Sequence, residues 1–181
     1  MNYLSPPERY SGISKTLHWL IALLAFAQLA MGKFFEVEAD EADGFFGWHT
    51  ALGLLVLALM LVRLGWRLTH TVPGLPRNTP GWQQIVARAM HIAFYALLIA
   101  LPLSGWMMTS VEGGAVGFFG WCGVPPLPVP GGEASEDLIE ETHEVLGNVL
   151  LVLAGIHVLA GLKHHYIDRD DVLRRMMPGS G

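Results

Sequence analysis

Four long apolar runs follow one another along the chain, separated by shorter polar segments. They cover residues from about 13 to 35, 45 to 66, 85 to 108 and 138 to 163. Each is long enough to cross a hydrocarbon core of about 30 Å, which takes roughly 20 helical residues. None shows the period-2 alternation of a membrane β-strand. The pattern predicts an all-α membrane protein, with one four-transmembrane-helix bundle over residues 1–181.

The composition agrees with a chain that faces lipid and narrows the choice of cofactor. Hydrophobic residues make up 52% of the chain and charged residues only 15%, whereas soluble domains carry about 25% charged residues. The single cysteine, Cys122, excludes a disulfide framework, a cysteine-based zinc site and an iron–sulfur cluster. It also excludes covalent haem attachment through C-x-x-C-H, so any haem is held by coordination and packing.

Charges fall on opposite sides of the predicted spans according to their sign. Ten of the 11 Lys and Arg residues lie on the side of the two tails and of the connection between the second and third runs, with which Arg63, Arg67, Arg77 and Arg88 are counted, and only Lys33 lies opposite. The positive-inside rule therefore predicts that both termini are cytoplasmic. The opposite face carries Glu36, Glu38, Asp40, Glu41, Asp43, Glu112, Glu133, Glu136, Asp137, Glu140, Glu141 and Glu144. A cleaved signal peptide is the alternative for the first run, but that run continues to residue 35 and three more follow.

Histidines at membrane depth form the candidate site, because ionisable groups inside a bilayer are costly. His143 and His157 lie 14 residues apart on the fourth run, so on a helix they point to the same side, about 21 Å apart. His49 matches the depth of His143, and His18 matches that of His157. Two imidazoles that face each other across a bundle are suited to hold a low-spin haem iron. For each histidine alone, a simple hydrogen bond to a neighbouring helix is the alternative.

Small residues support this interpretation. Gly53, Gly147 and Gly161 each follow a candidate ligand by four positions and therefore share its helix face. A glycine there lets a porphyrin edge approach the backbone, although ordinary helix packing also uses small residues.

His91 competes with His18 as the ligand opposite His157, because it begins the third run at a similar depth. The residue four positions after it is Tyr95, which would obstruct a macrocycle. We therefore expect His91 to bond a haem propionate or a neighbouring helix.

Several motifs resemble those of the bacterial cytochrome b561 family, and the resemblance covers nearly the whole chain. They are Lys15-Thr-Leu-His18-Trp19, Gly47-Trp-His49, Phe118-Phe-Gly-Trp and, as the most specific, Gly161-Leu-Lys-His-His-Tyr-Ile-Asp-Arg-Asp-Asp-Val-Leu-Arg-Arg-Met176. The resemblance implies a multi-pass protein of the bacterial inner membrane that moves electrons through two b haems to or from a quinone. His18 and His157 would ligate the iron of the cytoplasmic-side haem, and His49 and His143 the iron of the other.

The resemblance also implies a ubiquinone site on the cytoplasmic side near His164, with Arg9, Ser14 and Lys15 as neighbours. Quinone reduction takes up protons, and a histidine that titrates near neutral pH is suited to supply them. The alternative for His164 is a polar helix end anchored among the lipid headgroups.

The electron donor is the least constrained part of the prediction. One branch of the family oxidises superoxide at the outer face, which would make the chain a superoxide oxidase-like quinone oxidoreductase. Superoxide is an anion, and its capture favours a positive funnel, for which only Lys33 is available. The acidic face would suit a cationic periplasmic redox protein. Two other hypotheses stay open: a membrane-anchor cytochrome b subunit that relays electrons for a partner dehydrogenase or hydrogenase, and a haem-free transporter or metal-binding membrane protein. Lipid is an expected partner, and nucleic acid is not.

Overall fold

The computed structural model describes residues 9–34, 44–75, 79–111, 113–119 and 121–179. Within these ranges lie four long helices, α1 (Gly12–Phe34), α2 (Phe45–Thr69), α3 (Gly81–Val111) and α4 (Glu133–Lys163). All four are long and apolar enough to cross a membrane. The four-helix membrane fold predicted from the apolar runs is confirmed.

The helices are longer than the apolar runs at most of their ends. α2 continues to Thr69 rather than ending near residue 66, α3 covers Gly81–Val111, and α4 already begins at Glu133. Hydropathy marks only the part of a helix that lies in hydrocarbon, whereas the backbone continues through the interfacial region on either side. The predicted end of the first run at residue 35 lies outside the described residues. So do Arg77 and the acids Glu36, Glu38, Asp40, Glu41, Asp43 and Glu112.

Helices that follow one another in the sequence pack side by side, and two names are used here for the ends of the bundle. The end where α2 and α4 begin is called the acidic end here, and the end where they finish is called the basic end. α1 packs on α2, α2 on α3 and α3 on α4. One buried cluster comprises Leu17, Ile21, Val56 and Met60, and a second comprises Leu29, Leu97 and Leu150.

A short hairpin covers part of the acidic end, and its two strands were not predicted. Strands β1 (Val116–Phe118) and β2 (Cys122–Val124) pair antiparallel. Val116 is buried, and the Phe119 ring lies 5.5 Å from that of Trp48, in the first turn of α2. The hairpin thus rests on the start of α2, while the bundle itself is helical as predicted.

The chain after α4 folds back against α1. A π-helical turn (His164–Asp168) follows α4 and ends at Arg169, whose φ of 55° is left-handed. A 3₁₀ turn (Arg174–Met176) comes next. The indole Nε1 of Trp19 donates a hydrogen bond to the backbone oxygen of Met176 at 2.8 Å. This contact fixes the C-terminal segment at the basic end.

Large apolar side chains cover much of the outside of the bundle, as expected for surfaces that contact lipid. Examples are Leu23, Leu61, Val62, Ile92, Val152 and Leu159.

Met60 and its neighbour Leu61 offer a matched test of this packing. Met60 is 2% exposed and Leu61 is 54% exposed. We expect Met60→Ala to lower the free energy of unfolding by about 1–3 kcal/mol, since lipid is as apolar as Met and only helix packing is lost. Leu61→Ala should change it by less than about 0.5 kcal/mol. Thermal unfolding in detergent measures both, and equal losses would contradict the assignment of Leu61 to the lipid-facing surface.

Candidate functional site

At the acidic end, one imidazole from α2 faces one from α4. The ring centroids of His49 and His143 lie 6.2 Å apart, with the ring planes at 70°. His49 lies in the second turn of α2 and His143 in the third turn of α4. This ring contact places the two histidines at the same depth in the bundle, as expected from the sequence. We call them the acidic-end pair.

Ser104 of α3 fixes the tautomer of His143. Its hydroxyl oxygen lies 2.8 Å from the backbone oxygen of Leu101 and 2.9 Å from His143 Nδ1. A hydroxyl has one proton, and the carbonyl of Leu101 can only accept. The hydroxyl therefore accepts from Nδ1–H of His143, so the neutral ring keeps its lone pair on Nε2. A histidine that donates one ring N–H and presents the other nitrogen is typical of a metal ligand.

A cavity of about 400 Å³ surrounds the acidic-end pair, within the size range of cofactor and ligand pockets. Gly53 and Gly147 both line it. Among the described residues, no atom outside the adjoining backbone of α4 comes within 4 Å of a Cβ built on Gly147, and the amide nitrogen of Gln28 is 3.3 Å from one built on Gly53. The predicted role of these glycines, which is to leave room for a flat group, fits this lining.

Two more glycines and one amide complete the site, and the sequence analysis missed them. A Cβ on Gly105 would lie 3.2 Å from His143 Cε1, and one on Gly32 would lie 3.8 Å from His49 Cε1. Gln28 Nε2 donates to the backbone oxygen of His49 at 2.7 Å, and its Oε1 is buried with no hydrogen-bond partner among the described residues. A glutamine within an apolar span is a detectable signal. The two glycines belong to other helices than the histidines that they contact, so no spacing rule finds them.

At the basic end, three imidazoles meet instead of two. The centroid of His157 lies 6.4 Å from that of His18 and 6.1 Å from that of His91. The Phe94 ring packs on His157 at 5.2 Å. The structure thus brings His18 and its competitor His91 close to His157. Both His18 and His91 remain candidates for the position opposite His157.

The separations fit a metal held between two rings. A metal–imidazole bond is about 2.0–2.1 Å and the ring centre lies roughly 1 Å behind the nitrogen, so two opposed ligands have centroids about 6 Å apart. The arrangement of the helices fits as well, because α4 packs closely on α3 but, among the described residues, approaches α1 and α2 only sparsely. His49 Nδ1 is buried without a hydrogen-bond partner in the part of the chain that the structure describes, which is costly. The residues present fit a bis-histidine haem at each end.

The predicted quinone-site residues do not form one cluster. Arg9 and Ser14 line a second cavity, of about 190 Å³, which His164 does not line. His164 Nδ1 instead lies 2.6 Å from Asp170 Oδ2 and 3.3 Å from Asp168 Oδ2. His164 is therefore part of a histidine–carboxylate group that follows α4.

The remaining predicted residues have local contacts of their own. Lys33 lines the acidic-end cavity and lies 3.7 Å from Glu144 Oε1, so its charge is partly neutralised where an anion would enter. Lys15 makes contacts of its own within the chain. A Cβ built on Gly161 would lie 3.9 Å from Cδ1 of Leu173. The close neighbour of this glycine is therefore the C-terminal segment.

Comparisons with known proteins find a matching family and several relatives. The family model for prokaryotic cytochrome b561 matches residues 9–179. Cytochrome b561 homolog 2 of Escherichia coli K12 is 35% identical, over 98% of this chain and 95% of its own. Cytochrome b561 homolog 1 of the same organism is 32% identical, over 94% and 98%. The probable superoxide oxidase CybB of Yersinia pestis is 30% identical, over 94% and 97%.

Ser104→Ala tests the tautomer of His143. Without its acceptor, the ring loses the contact that holds Nε2 toward the cavity, and we expect the acidic-end pair to bind its metal centre about 10–100-fold more weakly. Thr142→Ala is the control, since that hydroxyl bonds only the Leu138 carbonyl of its own helix, at 2.7 Å. Haem retained per chain during dilution in detergent is the measurement. Unchanged retention in Ser104→Ala would exclude this role for the hydroxyl.

Proposed function

The chain belongs to the prokaryotic cytochrome b561 family, and on this premise we propose that it carries electrons across the membrane through two bis-histidine b haems, between a donor at the acidic end and a quinone at the basic end. Family membership makes it a multi-pass electron-transport protein of the bacterial inner membrane and implies haem b as its cofactor. The two groups of imidazoles at opposite ends of α4 are the observation that carries the proposal.

In this proposal His49 and His143 hold the acidic-end haem, while His18 and His157 hold the basic-end haem. A bound haem b supplies an iron that takes up and releases one electron at a time. Ser104 orients His143, and Phe94 packs on His157. The apolar walls of the acidic-end cavity keep water from the ligands.

We place the basic end in the cytoplasm, with both termini, on the charge distribution. Ubiquinone binds there in this proposal, and the pair of His164 and Asp170 supports proton delivery to it. Asp170 lies at hydrogen-bond distance from Nδ1, so it can stabilise the imidazolium while Nε2 donates a proton to a quinone oxygen. Arg9, Ser14 and Lys15 belong to the same end of the bundle.

Superoxide oxidation at the acidic end is the form of the activity that we propose to test first, because one relative bears that name. Lys33 is the cation at the cavity, but Glu140 and Glu144 line it as well. These acids favour a cationic donor and slow an anionic one. A cationic periplasmic redox protein is therefore the second candidate donor.

Haem content separates this proposal from a haem-free membrane protein. The wild type should hold two b haems per chain. His143→Ala should remove the acidic-end haem and His157→Ala the basic-end haem, each halving the content, because each removes one of two iron ligands. Reduced-minus-oxidised absorption spectra and pyridine-haemochrome counts measure this.

The competitor histidine provides the internal control. His18→Ala should also leave one haem, whereas His91→Ala should leave two. The reverse result would replace His18 by His91 in the basic-end pair. A wild type with no b-type absorption would refute the function itself.

The quinone proposal predicts a rate effect without a loss of haem. His164→Ala should slow reoxidation of the pre-reduced protein by a soluble ubiquinone analogue about 100-fold. Asp170→Asn should slow it less, because it keeps the shape but not the charge beside the imidazole. Tyr166→Phe is the control, as its side chain is exposed. Stopped-flow absorbance measures all three, and a wild-type rate in His164→Ala would move the quinone elsewhere.

A further inference from the structure

A cavity of about 190 Å³ at the basic end is lined by a group of cations, two of which, Arg63 and Arg67, have no role in the electron-transfer proposal. Three guanidinium groups line it, from Arg9 near the N-terminus and from Arg63 and Arg67 of α2. Trp66 and Tyr95 also line it. We call this cavity the arginine pocket.

No carboxylate neutralises these arginines within the part of the chain that the structure describes. The ion pairs found there involve other cations, namely Lys33, Lys163, His164 and Arg175. The nearest polar neighbour of Arg63 is neutral: its Nε donates to the hydroxyl of Tyr95 at 3.3 Å. The guanidinium of Arg67 lies over the same Tyr95 ring, 5.8 Å from its centroid.

Two donors of the pocket are buried and have no acceptor among the described residues. They are Nη1 of Arg63 and Nε1 of Trp66. An N–H removed from water without an acceptor costs free energy, and a buried charge costs more. Hydrogen-bond donors and positive charge thus lie together in the pocket, with few acceptors from the described residues. An anion with several oxygen atoms would accept these hydrogen bonds and balance the charge.

The arginine pocket adjoins the basic-end histidines. Tyr95, which accepts the hydrogen bond from Arg63, lies one helical turn after His91 on α3 and packs against the buried cluster that contains Leu17, the chain neighbour of His18. A ligand that occupies the arginine pocket can therefore be one end of a molecule whose other end lies between the imidazoles.

We propose that the arginine pocket binds the propionate carboxylates of the basic-end haem, with Arg63 as the main partner and Trp66 Nε1 as a neutral donor. The inference rests on the proposed basic-end haem. A guanidinium matches a carboxylate with two parallel hydrogen bonds, and the two propionates of haem b supply the negative charge that the arginines lack. A quinone is neutral and would leave that charge uncompensated.

This assignment has two consequences for the bound haem. Arg63 and Trp66 would hold the propionates beside the C-terminal half of α2 and so restrict how the haem can be oriented. The positive charge beside the propionates also offsets their effect on the iron and favours the reduced form. Arg63 is thus a positioning residue that holds the cofactor and raises its midpoint potential.

Arg63→Met tests the proposal on the full-length protein in detergent. It keeps the length of the side chain but removes the charge and the donors. We expect basic-end haem to transfer to an apo-globin acceptor at least about tenfold faster, and one of two components in a redox titration to move to lower potential. Arg63→Lys should give intermediate values. Trp66→Phe, which removes only the N–H, should accelerate haem loss by a smaller factor. Arg88→Met is the control, since Arg88 is exposed on α3 outside the pocket.

Haem dimethyl ester, which lacks the propionate charges, identifies the anion. If propionates occupy the pocket, the ester should leave wild type and Arg63→Met equally fast. A persisting difference with the ester that vanishes on delipidation would assign the pocket to a lipid phosphate and overturn the proposal. Two haems per chain with unchanged retention and potential in Arg63→Met would also overturn it. A wild type that binds only one haem would instead refute the proposed function on which it rests.

Discussion

An imidazole within a bilayer needs a partner for each ring nitrogen, because the surrounding hydrocarbon offers none. In this bundle α4 supplies two such rings, and other helices supply the rings that face them. At the acidic end Ser104 binds one nitrogen of His143 and leaves the other for the cavity. The spacing between helices follows from the same requirement, since α4 stays close to α3 while its histidines reach toward α1 and α2. The proposed cofactors would fill the space between them.

The two ends of the bundle differ in the sign of their unsatisfied charge. At the acidic end Lys33 is balanced by Glu144, and further acids lie along the start of α4. At the basic end Arg63 and its neighbours face no carboxylate among the described residues. In the proposed function, charges at the acidic end attract the electron donor, whereas charges at the basic end anchor a cofactor. Direction of electron flow can in this way be influenced by side chains that never touch the iron.

The depth of each histidine and its pairing across the bundle were predictable from sequence, whereas the other contacts between helices were not. The apolar runs located the spans, and the 14-residue interval correctly placed His143 and His157 at opposite ends. Ser104 gave no signal, because serine in a membrane helix usually bonds its own backbone. Arg63 was counted as a loop cation for topology, yet it is part of a helix that continues to Thr69 and lines a cavity. Short motifs could not reveal either contact, since each joins residues on different helices.

Each proposed haem depends on a ligand from α4, which is synthesised after α1, α2 and α3. α1, α2 and α3 enter the membrane with His18, His49 and His91 but with no residue to complete either pair. In this proposal neither cofactor can therefore be held by both of its ligands before α4 has been synthesised. A chain truncated before His143 would insert three helices whose imidazoles lack their proposed partners. The position of the shared ligand helix thus makes cofactor binding dependent on insertion of the fourth helix.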